Sequence, residues 1–335
     1  MSFLLSEARD RLKNNDLVKL NSLIDWQQLR SLLTKLNRIG YGPKGYDPLK
    51  LVKALVLQTW HSLSDPGIEE AIKVRLDFMM FSGFDQGVPD ETTFCKFRNS
   101  LIKLKLFECI LNNINQQLVS QGLTVKPSAG AVIDATIIES AARPRKELEA
   151  IPIDRKENDV TTIEVVDNLS LSADKDARWL KKGNRSYFGY KGFVVVDAED
   201  GYITKVHMTP ANKSEVSTLE DAIAGLFPSR LLGDKGYASA YNRDYLQGKG
   251  IKNGLMYKAS RNTPLTKWQK LFNKLVLKRR YLVEQGFGIL KRKFNMGRAS
   301  YFTTVKVESQ MLLKAIAFNL LKALRKLPKL NTQMG

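Results

Sequence analysis

The sequence predicts an α/β protein in which an all-helical amino-terminal region precedes a mixed-sheet domain. Apolar residues recur at helical spacing as far as Lys126, and short β runs begin directly afterwards with SAGAVIDATII at 128–138. Residues 266–294 (TKWQKLFNKLVLKRRYLVEQGFGILKRKF) again show helical spacing, without an internal proline. This stretch is predicted to be one long amphipathic helix, with Gly286 and Gly288 as the points where it would break.

The remaining elements follow from local patterns. In the amino-terminal region, Asp47 and Pro48 give a helix start, and further helices are expected from Asp65 and Asp90. In the sheet region, Asp200-Gly201 predicts the turn of a β-hairpin. We expect hairpin strands at 187–196 and 202–208, a helix at 214–226, strands at 230–232 and 251–257, and a last helix at 307–327.

These elements suggest five regions. They are a helical segment at 1–37 that is a candidate for multimerisation, a Gly- and Pro-rich linker at 38–48, a helical block at 49–126, a mixed-sheet domain at 127–300, and a carboxy-terminal helix at 301–335 packed on that domain. The observations below favour DNA binding by the block at 49–126 and catalysis by the domain at 127–300. Residues 139–186 are charged and poor in aliphatic pattern, so they are expected to form an excursion from the core.

The charge balance points to a polyanionic partner. The chain has 53 Lys and Arg against 34 Asp and Glu, a net charge of +19. Nucleic acid is the first candidate and an anionic membrane surface the second. An 18-residue apolar run, a signal-peptide layout and a lipidation motif are all missing from the sequence, so we expect a cytoplasmic, nucleoid-associated protein.

Histidine and cysteine are scarce. Cys95 and Cys109 are too few for a disulfide framework or a zinc site, and both fall in helical pattern, where we expect buried thiols. His61 and His207 are the only histidines. Catalysis by this chain would therefore have to rest on carboxylates.

Three carboxylates stand in unusual places. Asp134 lies in the middle of an apolar β run, where an unpaired charge would cost several kcal/mol. Asp234 follows a short strand between two glycines, and Glu284 is the single acidic residue among eleven Lys or Arg between 261 and 298. On a helix, Arg280, Glu284 and Lys291 fall within about 40° of one another. An ordinary surface salt bridge explains Glu284 equally well.

If the three carboxylates meet in the fold, they need cations. Unit charges about 4 Å apart repel by about 4 kcal/mol at an effective dielectric constant near 20. Two divalent ions about 3.5–4 Å apart would offset this repulsion, and hard oxygen ligands favour Mg²⁺ or Mn²⁺ over zinc. Such a centre is typical of phosphodiester chemistry.

The motifs around these acids resemble a known family. AVIDATII around Asp134, KKGNRSYFGYKGFVVVDAEDG, TPANKSE, LLGDKGYAS around Asp234 and RRYLVEQGFGILKRKF around Glu284 are similar to motifs of the DDE transposases of bacterial insertion sequences, of the insertion-sequence-five kind. The resemblance extends over about residues 46–318. It implies an RNase H-like catalytic domain, a metal-binding and catalytic triad of Asp134, Asp234 and Glu284, and two Mg²⁺ ions with Mn²⁺ as a substitute.

The resemblance also implies a substrate and its contacts. A protein of this family binds double-stranded DNA at the ends of its element, cleaves there, and joins the freed 3′-hydroxyls to target DNA as a homodimer or larger assembly. Arg280 and Lys291 would face phosphates, although Leu277 stands where many relatives have a tyrosine. The further candidates for DNA contact are Lys182, Lys191, Lys96, Arg98, Lys235 and Arg292.

Several alternatives remain open at this level. The helices carrying Lys96 and Arg98 could form a helix-turn-helix unit or a plain bundle with a solvated polar face. Lys182 and Lys191 could be solvated strand charges. A structure-directed nuclease without a joining step, and a DNA-binding regulator with an idle site, are the alternative functions.

Overall fold

The computed structural model describes residue 12 and residues 15–36, 45–85, 87–124, 130–142, 144, 148–153, 162–167, 172–260 and 263–331. Nearly all of the first 14 residues therefore lie outside the described residues. So do most of the predicted linker and parts of the predicted excursion at 139–186.

Helices fill the described chain up to residue 120. They are α1 (Asp16–Leu23), α2 (Arg30–Leu33), α3 (Pro48–Trp60), α4 (Asp65–Val74), α5 (Leu76–Ser82), α6 (Glu91–Lys103) and α7 (Leu106–Ser120), with 3-10 turns at Trp26–Leu29 and Thr34–Leu36. The predicted all-helical amino-terminal region is confirmed.

Helix starts in this region follow the predicted capping chemistry. The Asp47 carboxylate accepts a hydrogen bond from Leu49 N, and Pro48 occupies the first turn of α3. Asp90 caps α6 in the same way. The helix expected from Asp65 is split in two, because Arg75 adopts an extended conformation between α4 and α5.

A six-stranded mixed sheet follows. Its strands are β1 (Ala131–Glu139), β4 (Arg178–Lys182), β5 (Arg185–Asp197), β6 (Ile203–Pro210), β7 (Arg230–Gly233) and β8 (Lys252–Leu255). Strand β5 is antiparallel to β1, β4 and β6, whereas β7 is parallel to β1 and β8. The α/β class with an RNase H-like mixed sheet is thus confirmed. Strands β2 (Leu148–Ile153) and β3 (Thr162–Asp167) form a separate two-stranded sheet.

Four further helices of the described chain surround the sheet: α8 (Glu215–Ile223), α9 (Ala240–Gly248), α10 (Lys267–Arg292) and α11 (Thr304–Asn331). Helix α10 begins with a capping box of Thr266 and Gln269 and runs through Gly286 and Gly288 without a break. A Cβ at Gly286 would meet only Phe318 of α11, at ordinary contact distance. The tertiary packing of α10 thus outweighs the low helix propensity of its glycines.

The two faces of the sheet pack against different partners. Along β1, Val132 belongs to a core shared with the amino-terminal helices, α10 and α11, whereas Ile133 belongs to a second core with α8 and α9. Asn319 of α11 is fully buried and bonds to both Asn115 of α7 and the backbone of Ile203 in β6. Helix α11 therefore ties the amino-terminal helices to the sheet.

Both cysteines depart from the expectation of buried thiols. Cys95 and Cys109 are exposed. The buried faces of α6 and α7 are formed by larger residues such as Phe94, Leu101 and Ile110, which turn the cysteines outward.

None of the described helices is both long enough and apolar enough to cross a lipid bilayer.

Candidate active site

The pairing of β1 with β7 places two carboxylates side by side. These strands are parallel, and Ile133 lies opposite Gly233. The next residue on each strand is an aspartate, Asp134 on β1 and Asp234 just beyond the end of β7. Two residues that are 100 positions apart in sequence are therefore brought together by a single strand register.

Helix α10 supplies the third carboxylate and a cation. The Arg280 guanidinium lies 2.8 Å from Asp134 Oδ2, 3.4 Å from Asp234 Oδ1 and 3.7 Å from Glu284 Oε1. Its Nη2 donates a hydrogen bond to Asp134. The three predicted acids thus surround one arginine side chain, and the helical spacing of Arg280 and Glu284 is an i,i+4 pair as expected.

The four side chains of the site differ in their exposure to solvent. The Arg280 and Asp134 side chains retain 11% and 15% of their exposure, against 30% for Asp234 and 59% for Glu284. Burial opposes the charge on Arg280, but the attraction of Asp134, Asp234 and Glu284 is larger and raises the pKa of the guanidinium. The site is therefore held together by charge, with Glu284 on the solvent side.

A buried tyrosine lies beneath the acids. Burial and the negative charges of Asp134 and Glu215 raise the pKa of Tyr237 well above its ordinary value. Its hydroxyl has no hydrogen-bond partner among the described residues. Tyr237 therefore remains a neutral phenol beside the carboxylates.

The donor set fits hard divalent cations, but the three acids are not preassembled around one. Three carboxylates are the oxygen ligands that Mg²⁺ and Mn²⁺ prefer. Within the part of the chain that the structure describes, no three His, Cys, Asp or Glu side chains are arranged to hold a metal ion. The Arg280 guanidinium lies between the carboxylates instead. A cation held by all three carboxylates would therefore compete with Arg280 for their oxygens.

Sequence reasoning missed a fourth carboxylate. Glu215, the first residue of α8, lies 3.8 Å from Lys191 Nζ and borders the turn after Asp234 so closely that a Cβ on Gly236 would overlap its carboxylate. Burial raises the pKa of Glu215, the Lys191 charge opposes this, and Asp134 and Asp234 add to it. The TPANKSE motif contained this residue, but a helix-start glutamate is usually explained by the helix dipole.

Three predicted lysines converge beside the acids from β4, β5 and α10. Burial lowers the pKa of Lys191, the negative charge of Glu215 opposes this, and the positive charge of Lys182 adds to the lowering. Burial also lowers the pKa of Lys291; the charge of Lys182 adds to this, and that of Glu139 opposes it. A cavity of about 220 Å³ next to Asp134 is lined in part by Lys182, Lys191, Glu215 and Thr136. Lys182, Lys191 and Lys291 therefore form a cationic cluster next to the acids.

Arg98 does not lie where the sequence prediction placed it. Its side chain is buried and bonds to Asp65 and Gln58. Lys96, two residues earlier on α6, is exposed. Positions two apart on a helix point about 200° from each other, so one of the pair had to face the core. Arg98 is therefore an interior ion pair and not a surface contact for DNA.

The other residues predicted to contact DNA differ in their exposure to solvent. Lys235 and Arg292 are exposed, the first in the turn after Asp234 and the second at the end of α10. Lys191 is more buried than a surface contact would be, and its ammonium donates to the Lys213 carbonyl.

Comparison with known sequences and structures gives consistent matches. The chain matches the family described as transposase DDE domain over residues 130–320 and a second family described as transposase domain over residues 6–100. It is 42% identical over 235 residues to a transposase for insertion sequence element IS1106 from Neisseria meningitidis serogroup B, covering 70% of this chain and 78% of that relative.

Among solved structures, a synaptic complex of piggyBac transposase with hairpin DNA aligns over 92% of this chain and 72% of that one, with 11% identity and a TM-score of 0.38. The Mos1 strand transfer complex aligns over 90% and 84% of the two chains, with 13% identity and a TM-score of 0.21.

Proposed function

Since this chain belongs to the DDE transposases of bacterial insertion sequences, which cleave and move DNA with divalent metal ions, we propose that Asp134, Asp234 and Glu284 form its catalytic centre. The observation that carries this proposal is their convergence on Arg280, produced by the β1–β7 register and the packing of α10.

The proposed reaction is in-line phosphoryl transfer at the ends of the element. Two Mg²⁺ ions, or Mn²⁺ in their place, held by the three carboxylates would supply the Lewis acidity for breaking and forming phosphodiester bonds. Asp134 and Asp234 contribute fixed ligands, because each is attached to a sheet strand or its end. Glu284 is exposed and lies on α10, so it closes the site from the side that DNA approaches.

Arg280 has two roles in this proposal. In the structure it is the counter-ion of the acids, and its charge offsets their mutual repulsion. With cations bound to the acids, the guanidinium would no longer be needed as their counter-ion and could donate to the substrate. A planar guanidinium is well suited to a phosphate, since it can donate two parallel hydrogen bonds.

The cationic cluster of Lys182, Lys191 and Lys291 would attract the phosphate backbone beside the acids. Lys182 repels both Lys191 and Lys291, so a phosphate bound beside them would relieve this repulsion. Lys191 is buried and bonded to the Lys213 carbonyl, so it would act through its charge and not as a surface contact. Lys96, Lys235 and Arg292 remain proposed contacts farther out, because they are exposed. Arg98 is not proposed as a contact on this surface, because its guanidinium is buried and paired with Asp65.

The joining step and the assembly complete the proposal. The freed 3′-hydroxyl would attack target DNA in the same centre, and two copies of the chain would act together because two element ends must be paired. Its substrate is genomic DNA, which places the protein in the cytoplasm at the nucleoid. A nuclease without joining activity and a DNA-binding regulator with an idle site are the competing proposals.

The test uses purified protein, Mg²⁺ or Mn²⁺, and duplex DNA carrying the ends of the element that encodes the chain. We expect nicked and joined products, while Asp134→Ala, Asp234→Ala and Glu284→Ala bind the DNA but neither cut nor join it. Asp244→Ala, at an exposed position of α9, is the matched control and keeps both activities. Retained cleavage in one triad variant removes that residue from the centre. Cleavage without joined products favours the nuclease, and metal-independent binding without cleavage favours the regulator.

A further inference from the structure

A second charged cavity lies away from the acids, between the amino-terminal helices and the carboxy-terminal part of the chain. Its volume is about 150 Å³. Helix α3 contributes Gln58, helix α6 contributes Arg98, and the segment after α10 contributes Ser300 and Tyr301. Lys314 of α11 also lines the cavity. The cavity therefore lies where the amino-terminal helices meet the carboxy-terminal part of the chain.

Lys314 is a buried cation without an anionic partner. It is 9% exposed, and its ammonium donates one hydrogen bond, to the Asn295 carbonyl, at 3.2 Å. No carboxylate lies within ion-pair distance of it among the residues that the structure describes. Burial lowers the pKa of Lys314 to about 8. An ammonium has three donors, so two of them remain available to a ligand.

The neighbouring Arg98, unlike Lys314, has an anionic partner among the described residues. Arg98 is neutralised by Asp65 and also bonds to Gln58. Its guanidinium lies 5.3 Å from the centre of the Tyr301 ring. Burial raises the pKa of Tyr301, so its hydroxyl keeps its proton and can donate. The wall therefore carries one uncompensated positive charge together with neutral donors.

We propose that this cavity binds a small oxyanion, namely inorganic phosphate or a phosphate group of a nucleic acid. The Lys314 ammonium supplies the charge, and the hydroxyls of Tyr301 and Ser300 supply further donors. A tetrahedral oxyanion carries several acceptor oxygens, and charge-assisted hydrogen bonds to it are about twice as strong as neutral ones. Neither the DDE centre nor the lysine cluster beside it contributes to this site.

Occupancy of the site has a structural consequence. Gln58 and Arg98 belong to the amino-terminal helices, whereas Ser300 and Tyr301 lie in the segment between α10, which carries Glu284, and α11. An oxyanion held by Lys314 would bridge these parts and stabilise their packing. A ligand that binds only the folded protein increases the free energy of unfolding. Once the ligand concentration exceeds the dissociation constant, this increase grows with the logarithm of the concentration.

Thermal unfolding of the full chain tests the proposal. We expect the Tm to rise by about 2 °C for each tenfold increase in phosphate above its dissociation constant, at constant ionic strength set with chloride. Lys314→Met should abolish this dependence, and Lys306→Met, an exposed lysine on the same helix, should retain it. If Lys314→Met does not fold, Lys314→Gln replaces it, because it removes the charge but keeps a polar tip.

The source of the phosphate is distinguished in a second arm. If free phosphate is the ligand, Lys314→Met leaves the affinity for duplex DNA unchanged. If a DNA phosphate enters the cavity, Lys314→Met weakens DNA binding and inorganic phosphate competes with it. A wild-type Tm that does not respond to phosphate, or an equal response in wild type and Lys314→Met, overturns the proposal.

Discussion

Arg280 and Asp134 form an ion pair in which Nη2 of the guanidinium lies 2.8 Å from Oδ2 of the carboxylate. Both side chains are largely buried, and the same guanidinium also contacts Asp234 and Glu284. The charge of this arginine offsets the mutual repulsion of the three acids.

Removing Arg280 should destabilise the metal-free protein. Arg280→Met leaves Asp134 without its counter-ion, and breaking a buried pair costs about 3–5 kcal/mol, so we expect about 2–4 kcal/mol here because Asp234 and Glu284 are partly exposed. Urea unfolding in the presence of a chelator measures the loss. Lys278→Met, at an exposed position of the same helix, is the control. A variant as stable as wild type would show that the acids do not need this cation.

The same substitution should strengthen cation binding. In wild type a divalent ion must displace the guanidinium, and in Arg280→Met this competition is gone. We expect a dissociation constant for Mn²⁺ at least about tenfold lower, corresponding to about 1.4 kcal/mol, in a calorimetric titration. An unchanged or weaker affinity would mean that Arg280 and the metal ions do not compete for the same space.

A methyl group at position 236 should move the Glu215 side chain and not the turn that carries Asp234. The carbon added by Gly236→Ala would overlap the Glu215 carboxylate, so this flexible side chain has to leave its place beside Lys191. We expect a loss of DNA cleavage well below the hundredfold that misplacement of a reacting group by about 1 Å can cost, because the turn can keep its position. Gly248→Ala, where the added carbon meets nothing, should keep full activity. Adding Glu215→Ala to Gly236→Ala removes the overlap, so the double variant should cleave DNA like Glu215→Ala alone; a much larger loss in Gly236→Ala would show that the turn is displaced.

The amount that sequence alone could predict differs from residue to residue. Asp134, Asp234 and Glu284 stood out because each carboxylate is unusual in its local context. The 100° step of a helix also placed Arg280 beside Glu284. The contact of Arg280 with Asp134 and Asp234 depends on strand register and on how α10 packs, which are long-range properties.

The errors have local causes. Arg98 and Lys96 are both basic and close in sequence, but a separation of two residues sends them to opposite sides of α6. Glu215 does not stand out in the sequence, because a glutamate at a helix start is common. Its proximity to Gly236 and Lys191 arises only when α8 packs against the sheet.

Stability should depend on pH through Lys314. Burial lowers the pKa of Lys314 to about 8 in the folded protein, whereas the unfolded chain keeps the ordinary value of 10.5. Between pH 8 and pH 10.5 the unfolded chain therefore binds more protons than the folded protein. Stability attributable to this residue therefore rises as pH increases from about 8 to about 10.5, by at most about 1.4 kcal/mol per pH unit. Denaturant unfolding of wild type and Lys314→Met across this range isolates the effect as a difference. A pH-independent difference between them would contradict a buried, unpaired ammonium.

Lys182 should contribute to DNA affinity through phosphate contact. Lys182→Ala should weaken binding at low salt and reduce the slope of log affinity against log salt concentration by about 0.9, the value for one phosphate contact on a duplex. Fluorescence anisotropy at several salt concentrations measures both quantities. Lys252→Ala, an exposed lysine of β8, should change neither. Equal slopes for wild type and Lys182→Ala would remove Lys182 from the DNA-binding surface.

The central claim is that Asp134, Asp234 and Glu284 bind divalent cations together, and calorimetric titration of Mn²⁺ into wild type and into Asp134→Asn, Asp234→Asn and Glu284→Gln tests it most directly. We predict saturable binding to wild type and a loss of at least about tenfold in affinity for each variant, since every one of them removes a charged ligand. Binding of equal strength and stoichiometry in wild type and in all three variants would contradict it.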